Sequence, residues 1–298
     1  MTGLSLLFLL SAASLHALSN MLIKQARDKL AFAWWSNTAL AVLGLPLLMF
    51  VGQPQPIGWG YVLVSGLIEA IYFVTLTRAY ALGDLSQVYP IARGSAPLFT
   101  LLWATLFLSE QPSLGGLIGI GLIVSGLYLV NLPSLAAWRT PLIGLRSAAS
   151  RWALFTGFFI SIYSTIDKVG VRYFDPLVYL YLFISVTSIT LSVQWLMPSR
   201  RGALLDEVKP MNDANSIGAK AKPIGRVLAG ALFGTAAYTL VLMALQLSPV
   251  SYVSPVRELS VVIGAWLGIR VMGEQGGRVR IAASLLIAIG ILTIAVYG

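Results

Sequence analysis

Apolar stretches of about 20 residues recur along almost the whole chain, and each is long enough at about 1.5 Å per residue to cross a hydrocarbon core of about 30 Å. Of the 298 residues, 57% are hydrophobic and only 10% are charged. A soluble globular protein carries about 25% charged residues, so this composition excludes that class. The sequence therefore predicts an all-α membrane protein.

Ten such stretches can be separated, and each is interpreted as a transmembrane helix. The first has neither a basic segment before it nor a small-residue cleavage site, so it is expected to be a retained helix and not a signal peptide. No soluble domain is left over. The predicted spans are residues 3–23, 32–51, 58–81, 85–108, 114–132, 152–169, 176–196, 225–247, 250–272 and 279–297.

The second half of the chain repeats the first weakly but in register. Arg93 aligns with Arg257, and the span-ending Glu110 aligns with Glu274. Because each half holds five spans, an odd number, the second half must enter the membrane upside down relative to the first, as in the inverted repeats of many secondary transporters. The predicted units are a first five-helix repeat over residues 1–132, a linker over 133–151 and a second five-helix repeat over 152–298, with a mobile polar loop at 198–223.

Lysine and arginine residues are distributed unevenly over the loops. Fifteen of them lie in the loops after spans one, five, seven and nine, whereas the opposite side carries Lys168 and Arg172. By the positive-inside rule the fifteen mark the cytoplasmic face. Both termini are therefore predicted to be non-cytoplasmic, in a bacterial-type inner (plasma) membrane. Because orientation explains the net charge of +9, no nucleic-acid partner is expected.

Two arginines lie inside predicted spans, Arg93 in the fourth and Arg257 in the ninth. An arginine near the bilayer centre costs about 2.5 to 3.5 kcal/mol on insertion scales, so it faces a water-filled cavity or a partner. The pseudo-twofold relation brings both near the midplane, where their guanidinium groups suit bidentate binding of a carboxylate, phosphonate or phosphate. The alternative is that they pair internally, Arg257 with Glu258 or Glu69, and only hold helices together.

Each arginine follows a proline in the same span, Pro90 or Pro255. Because proline has no N–H to donate to the carbonyl four residues earlier, both helices are expected to be kinked or unwound close to the arginines. Free carbonyls and flexing suit a gate, so both prolines are candidate gating residues. The alternative is that they are ordinary prolines tolerated near helix ends.

Three carboxylates are placed within spans, Glu69, Asp167 and Glu258, where burial makes proton exchange possible near neutral pH. Glu69 and Asp167 are the candidates for coupling transport to a proton gradient, with Glu69 first because it has the fewest charged sequence neighbours. The alternative for Asp167 and Glu258 is a charge-neutralising structural pair with the adjacent Lys168 or Arg257.

Other polar residues of the spans are candidates for lining the same cavity. His16 and Asn20 lie one helical turn apart on one stripe of the first span, and two tyrosines could hydrogen-bond a small polar ligand. Packing is the alternative role for His16, and tyrosines are also common in spans for interfacial reasons. The predicted substrate-binding residues are Arg93, Arg257, Tyr89, Glu258, Tyr163, Asn20 and His16.

The chain has no cysteine and a single histidine, which leaves no thiolate metal site, no cysteine nucleophile and no histidine cluster. A Walker-type phosphate loop is also absent from the sequence. No cofactor and no metal are therefore expected, and an ATP-driven pump or another enzyme is not predicted.

Two motifs carry a family resemblance. One is His16-Ala17-Leu18-Ser19-Asn20 in the first span, and the other runs from Gly83-Asp84-Leu85-Ser86 to Ala92-Arg93-Gly94. With them the chain resembles, over essentially its whole length, the ten-helix EamA-type transporters of the drug/metabolite transporter superfamily. The second motif resembles that of a subgroup found alongside phosphonate-utilisation genes, whereas the wider family is similar to exporters of amino acids and other metabolites. Characterised relatives are usually drawn with cytoplasmic termini, and the charge distribution here indicates the opposite.

The resemblance and the predicted central site imply a secondary active transporter, an exporter or exchanger that works by alternating access. Its substrate is expected to be a small polar metabolite with an anionic group, amino-acid-like or phosphonate-like. The expected partners are this small molecule, the lipid bilayer and protons as coupling ion, and a monomer is sufficient because the two halves are fused. The alternatives are a flippase for a lipid-linked phosphate or sugar and a non-transporting membrane assembly or receptor-like protein.

Overall fold

In the computed structural model, all regular structure of the described residues is helical, which confirms the predicted fold class. The described residues are 1–52, 54–83, 85–130, 132, 138–139, 147–209, 223–263, 266 and 278–298. Most of the predicted linker, residues 210–222 of the predicted loop, and the side chains of Tyr89 and Pro90 lie outside this set.

The first repeat consists of five helices joined by short turns. Polar side chains cap three of them, because Thr2, Asp28 and Ser113 each accept a hydrogen bond from a backbone N–H of the first turn. The second helix is shorter than predicted, since Gly44 ends it and a 3₁₀ turn over Leu45–Phe50 follows. The helices are α1 (Gly3–Lys24), α2 (Lys29–Leu43), α3 (Pro56–Leu82), α4 (Leu85–Leu108) and α5 (Leu114–Leu129).

The second repeat has matching helices with one addition. Its second span also ends in a 3₁₀ turn, Ser192–Leu196, and its fourth span is interrupted at Glu258, after which residues 259–263 are helical again. The helices are α6 (Ala148–Gly170), α7 (Pro176–Leu191), α8 (Pro198–Glu207), α9 (Pro223–Leu247), α10 (Val250–Arg257) and α11 (Arg278–Tyr297).

The helix pairing follows the twofold relation between the repeats. Helix α1 packs against α9. The equivalent helix of the second repeat, α6, packs against α3, which is the equivalent of α9 in the first repeat. The equivalent pairs α2 with α7, α4 with α10, and α5 with α11 also pack together. The Met1 amino group donates to the Gly298 carbonyl at 2.7 Å, so both termini lie on one face, as an even number of crossings requires. The protein is thus a pair of inverted five-helix repeats.

Six helices of the described residues are long and apolar enough to cross a membrane. Their outward-facing side chains are mostly large and apolar, as lipid contact requires. The protein is therefore a multi-pass integral membrane protein. The six are Gly3–Ile23, Pro56–Leu82, Ile91–Leu108, Pro176–Leu196, Pro223–Leu247 and Val279–Tyr297.

The prediction of an unfolded loop from residue 198 is wrong for its first ten residues, which form α8. This segment is polar on average, but it makes one apolar contact that its composition does not predict. Leu204 is fully buried in a cluster with Trp34. Trp35 Nε1 also donates to the Leu204 carbonyl at 2.8 Å. Helix α8 is therefore held against α2 of the other repeat.

A bidentate ion pair fastens α8 to the turn between α1 and α2. Arg200 Nη1 lies 2.7 Å from Asp28 Oδ2, and Arg200 Nη2 donates to Asp28 Oδ1 at 2.8 Å. The Asp28 N–H donates to Glu207 at 2.9 Å. Burial raises the pKa of Asp28, but the hydrogen bonds from Arg200 and Ala31 together outweigh burial and hold the pKa below its ordinary value.

We predict that Asp28→Ala destabilises the protein by about 1 kcal/mol more than Asp28→Asn, because asparagine caps a helix as well as aspartate does. Both variants lose the ion pair. The depressed pKa of Asp28 stabilises the fold fully above its unfolded value near 4, and this contribution is lost as pH falls through the folded pKa. Thermal unfolding between pH 7 and 3 should therefore show a steeper acid loss for wild type than for Asp28→Asn. Parallel curves would contradict the assignment.

Candidate functional site

A cavity lies between the two repeats and holds about 900 Å³ of empty space, its open mouth included. It is bounded by α1, α2, α3 and α4 of the first repeat and by α6, α7, α9 and α10 of the second. Six of the residues predicted from the sequence line it, namely His16, Asn20, Glu69, Arg93, Tyr163 and Arg257. Pro255, Asp167 and Glu258 are buried behind the wall.

Arg93 and Arg257 share one carboxylate, that of Glu258. Arg93 Nη1 lies 3.2 Å from each Glu258 oxygen, and Arg257 Nε lies 3.6 Å from Oε1. Glu258 is fully buried, and the side chains of Arg93 and Arg257 are 15% and 4% exposed. The repeat relation does bring the arginines together, and the internal pairing considered for Arg257 involves Glu258. The contact from Arg93, across the repeat interface, was not expected.

This arrangement leaves Arg257 only partly satisfied. Its Nη1 donates to Ser164 Oγ at the long distance of 3.4 Å. Within the described residues, Nε and Nη2 of Arg257 have no hydrogen-bond partner. Among the contacts of the described residues, Arg257 shares the carboxylate of Glu258 with Arg93. A buried cation with unmet donors is costly unless water or a ligand meets them, so the cavity is suited to bind an anion here.

The backbone that presents Arg257 is interrupted at that residue. Helix α10 ends at Arg257, two residues after Pro255, and Glu258 forms the turn that follows. Proline leaves the Ser251 carbonyl without its helical donor, which weakens the helix at this point. The start of α10 is fixed from the other repeat, because Glu110 accepts hydrogen bonds from the Val250 and Ser251 N–H groups at 2.9 and 3.0 Å.

The unwinding considered beside Pro90 is absent, since α4 is helical without a break from Leu85 to Leu108, and a kink at this position stays a prediction. Pro90 stands in the second turn of α4, so its missing N–H costs one hydrogen bond close to the start of the helix. Arg93 is therefore presented from a regular helix and Arg257 from a helix end. The gating roles of Pro90 and Pro255 remain predictions.

Glu69 lines the cavity from α3 and accepts a hydrogen bond from Thr187 Oγ1 at 2.9 Å. The Thr187 hydroxyl has one proton, and the Gly66 and Phe183 carbonyls lie within 3.0 Å of it as competing acceptors. In the described part of the chain, Glu69 has no ion-pair partner. Among the predicted proton-coupling residues, Glu69 is the one that faces the cavity directly.

Asp167 is fully buried and receives three hydroxyl donors. Ser65 and Tyr179 donate to Oδ1 at 2.5 and 2.9 Å, and Tyr238 donates to Oδ2 at 2.5 Å. The alternative that Asp167 pairs with Lys168 is wrong, because Lys168 Nζ instead donates to backbone carbonyls at the end of α9. Asp167 thus joins α3, α7 and α9 to α6, and it reaches the cavity wall only through Tyr238.

Aromatic rings form much of the remaining wall. The Tyr238 ring meets the His16 ring edge to face at 6.4 Å between centroids and the Tyr163 ring at 6.2 Å. Tyr163 in turn contacts Tyr72 at 5.8 Å. These contacts favour a packing role for the imidazole ring of His16, while its Nε2 has no partner among the described residues.

Several polar lining residues were not predicted from the sequence, among them Ser36 and Asn37 of α2 and Thr235 of α9. Each is a small or medium-sized polar residue within an otherwise apolar span, which is the signal that could have found it. No ion-binding cluster of histidine, cysteine or carboxylate residues occurs among the described residues.

Comparison with known proteins agrees with this architecture. The model of the EamA-like transporter family matches residues 3–132 and 148–296, and the chain belongs to this family. A known crystal structure superposes on this chain with a TM-score of 0.70 at 14% sequence identity. The match covers 99% of this chain and 98% of the chain in that structure, which shows a shared fold. No curated protein matches the chain. Membership identifies a membrane transporter of small molecules, whereas the narrower resemblance to phosphonate-associated proteins remains a prediction.

Proposed function

We propose that the protein is a secondary active transporter of a small polar metabolite whose anionic group binds Arg257. The observation that carries this proposal is the buried guanidinium of Arg257, a residue of the cavity wall whose Nε and Nη2 have no hydrogen-bond partner within the described residues. Arg93 supports it, because it lines the same cavity and shares the counterion Glu258. An anion bound at Arg257 would supply acceptors for these donors.

The arrangement of carboxylates narrows the substrate class. Glu258 is occupied by both arginines, so it is not available to bind a substrate amine. Glu69 faces the cavity without a cationic partner among the described residues. A zwitterion can place its anionic group at Arg257 and its ammonium group at Glu69. The substrate is therefore amino-acid-like or an aminophosphonate.

The way the site is divided supports alternating access as the mechanism. Arg93 belongs to the first repeat, whereas Arg257 and Glu258 belong to the second. We propose that the two inverted repeats rock about the substrate and expose it to each side in turn.

We predict that zwitterionic or anionic ligands raise the melting temperature of the detergent-purified protein and that Arg257→Ala abolishes this shift. Binding to the folded state stabilises it by mass action. Loss of charge-assisted hydrogen bonds of about 1.5 to 3 kcal/mol should weaken binding by roughly 10- to 100-fold. The panel should contain amino acids, aminophosphonates, simple anions and organic cations.

Two further variants make the ligand screen specific. Arg257→Lys keeps the charge but loses the planar fork, so it should bind more weakly than wild type. Arg172→Ala removes an exposed arginine and should respond as wild type does. Stabilisation only by cations or lipids, or equal shifts in Arg257→Ala, would contradict the proposed site.

We also propose that transport is coupled to protons through Glu69. Substrate flux into proteoliposomes should respond to an imposed pH gradient, and Glu69→Gln should remove this response. Because Glu69 is also the proposed ammonium site, flux down a substrate gradient should be reduced in this variant and should no longer vary with pH. Asp167→Asn is the comparison, since Asp167 is held by three hydroxyl donors and does not line the cavity. Flux of wild type that ignores the pH gradient would remove the coupling proposal.

The charge distribution assigns the membrane orientation in this proposal. The face with Asp28, Arg200 and Arg226 carries most of the loop cations, and the termini lie on the other face. We expect this basic face to be cytoplasmic. A reporter enzyme that is active only outside the cytoplasm should therefore be active when fused after Gly298. Activity only of a cytoplasmic reporter at the same position would reverse the orientation.

A further inference from the structure

Four uncharged polar side chains line the cavity with an atom that has no hydrogen-bond partner among the described residues. These atoms are Nε2 of His16, Nδ2 of Asn20, Nδ2 of Asn37 and Oγ1 of Thr235. All four atoms are shielded from solvent. These side chains come from α1, α2 and α9, whereas the arginines come from α4 and α10.

Unpaired buried polar groups are rare in folded proteins, because losing water without gaining another partner is unfavourable. Single exceptions occur in many structures. Four exceptions in side chains of one cavity wall are accounted for if these side chains turn toward the cavity and a molecule inside it, water or substrate, supplies the missing partners. Asn20 and His16 lie one turn apart on α1 and therefore point to the same side of the helix.

The chemistry of these groups selects what they bind. The amide Nδ2 atoms of Asn20 and Asn37 are donors and require oxygen or nitrogen acceptors. The Thr235 hydroxyl can donate or accept, and so can a neutral imidazole through its two nitrogens. None of the four adds a fixed charge. Oxygen atoms are their natural partners, and these can belong to hydroxyl or carbonyl groups as well as to an anion.

We propose that His16, Asn20, Asn37 and Thr235 form a second subsite that binds hydroxyl or carbonyl oxygens of the substrate. This inference rests on the proposed function, in which Arg257 holds the anionic group. It restricts the substrate class to anions or zwitterions with an oxygen-bearing body. Purely aliphatic analogues with the same charged groups are rejected, because they leave buried polar groups of the subsite unpaired.

Matched ligand pairs test the subsite separately from the anion site. Threonine and 2-aminobutyrate carry the same charged groups and differ in one hydroxyl, and glycerol 3-phosphate and propyl phosphate differ in two. Apparent affinities come from the dependence of the melting temperature on ligand concentration. In at least one pair, we expect the hydroxylated member to bind wild type about tenfold or more tightly than its partner.

The chain offers a closely matched pair of variants for this test. Thr235 and Thr239 are one turn apart on α9, and both hydroxyls lack a partner among the described residues, but only Thr235 lines the cavity. Thr235→Val should reduce the preference for the hydroxylated ligand, and Thr239→Val should preserve it. Asn37→Leu should also reduce the preference. Because each threonine change removes an unpaired hydroxyl at nearly constant volume, neither should impair folding.

Each outcome decides between the two proposals. If the hydroxylated and plain members bind equally and Arg257→Ala abolishes both, the anion site stands and the subsite is refuted. If Thr239→Val removes the preference as strongly as Thr235→Val, the preference is not a property of the cavity and the subsite is refuted. If no member of either pair binds wild type, the anion site fails, and the subsite inference that rests on it fails as well.

Discussion

Glu258 is completely buried and lies within ion-pair distance of guanidinium groups from both halves of the protein. A charge removed from water in this way is tolerated only when it is paired, and breaking such a pair by removing one partner commonly costs about 3 to 5 kcal/mol. One carboxylate therefore constrains three features of the structure. These are the position of Arg93 on α4, the end of α10 at Arg257 and the approach of the two repeats. The donors of Arg257 that Glu258 does not satisfy are the basis of the proposed binding site.

The same constraint is compatible with the proposed binding site. The structural and binding roles of Arg257, which appear as alternatives in the sequence, do not exclude each other, since Glu258 pairs with Arg257 and leaves two of its nitrogens without a hydrogen-bond partner among the described residues. Away from the centre, hydrogen bonds and an ion pair also join the repeats. Glu110 caps α10 and Arg200 binds Asp28, each across the repeat interface.

The spans, the repeat and the meeting of Arg93 with Arg257 could be predicted from sequence, because hydropathy is a local property and the repeat imposes a twofold relation. The sequence did not reveal which groups pair over long separations. Arg93 binds Glu258, which is 165 positions away. Lys168 donates hydrogen bonds to carbonyls at the end of α9 and does not pair with its neighbour Asp167. Polarity alone misassigned α8, since one buried leucine and ion pairs stabilise a helix whose average composition resembles a loop.

The measurement that tests the central claim most directly is solute flux in proteoliposomes made from the purified protein. A labelled amino acid or aminophosphonate that stabilises the protein should exchange across the bilayer with saturable kinetics in wild type. Vesicles containing Arg257→Lys should show strongly reduced exchange at the same protein content, because lysine keeps the positive charge but lacks the planar guanidinium group with its paired donors. Absence of flux in wild type, or unchanged flux in Arg257→Lys, would contradict transport through a site built on Arg257.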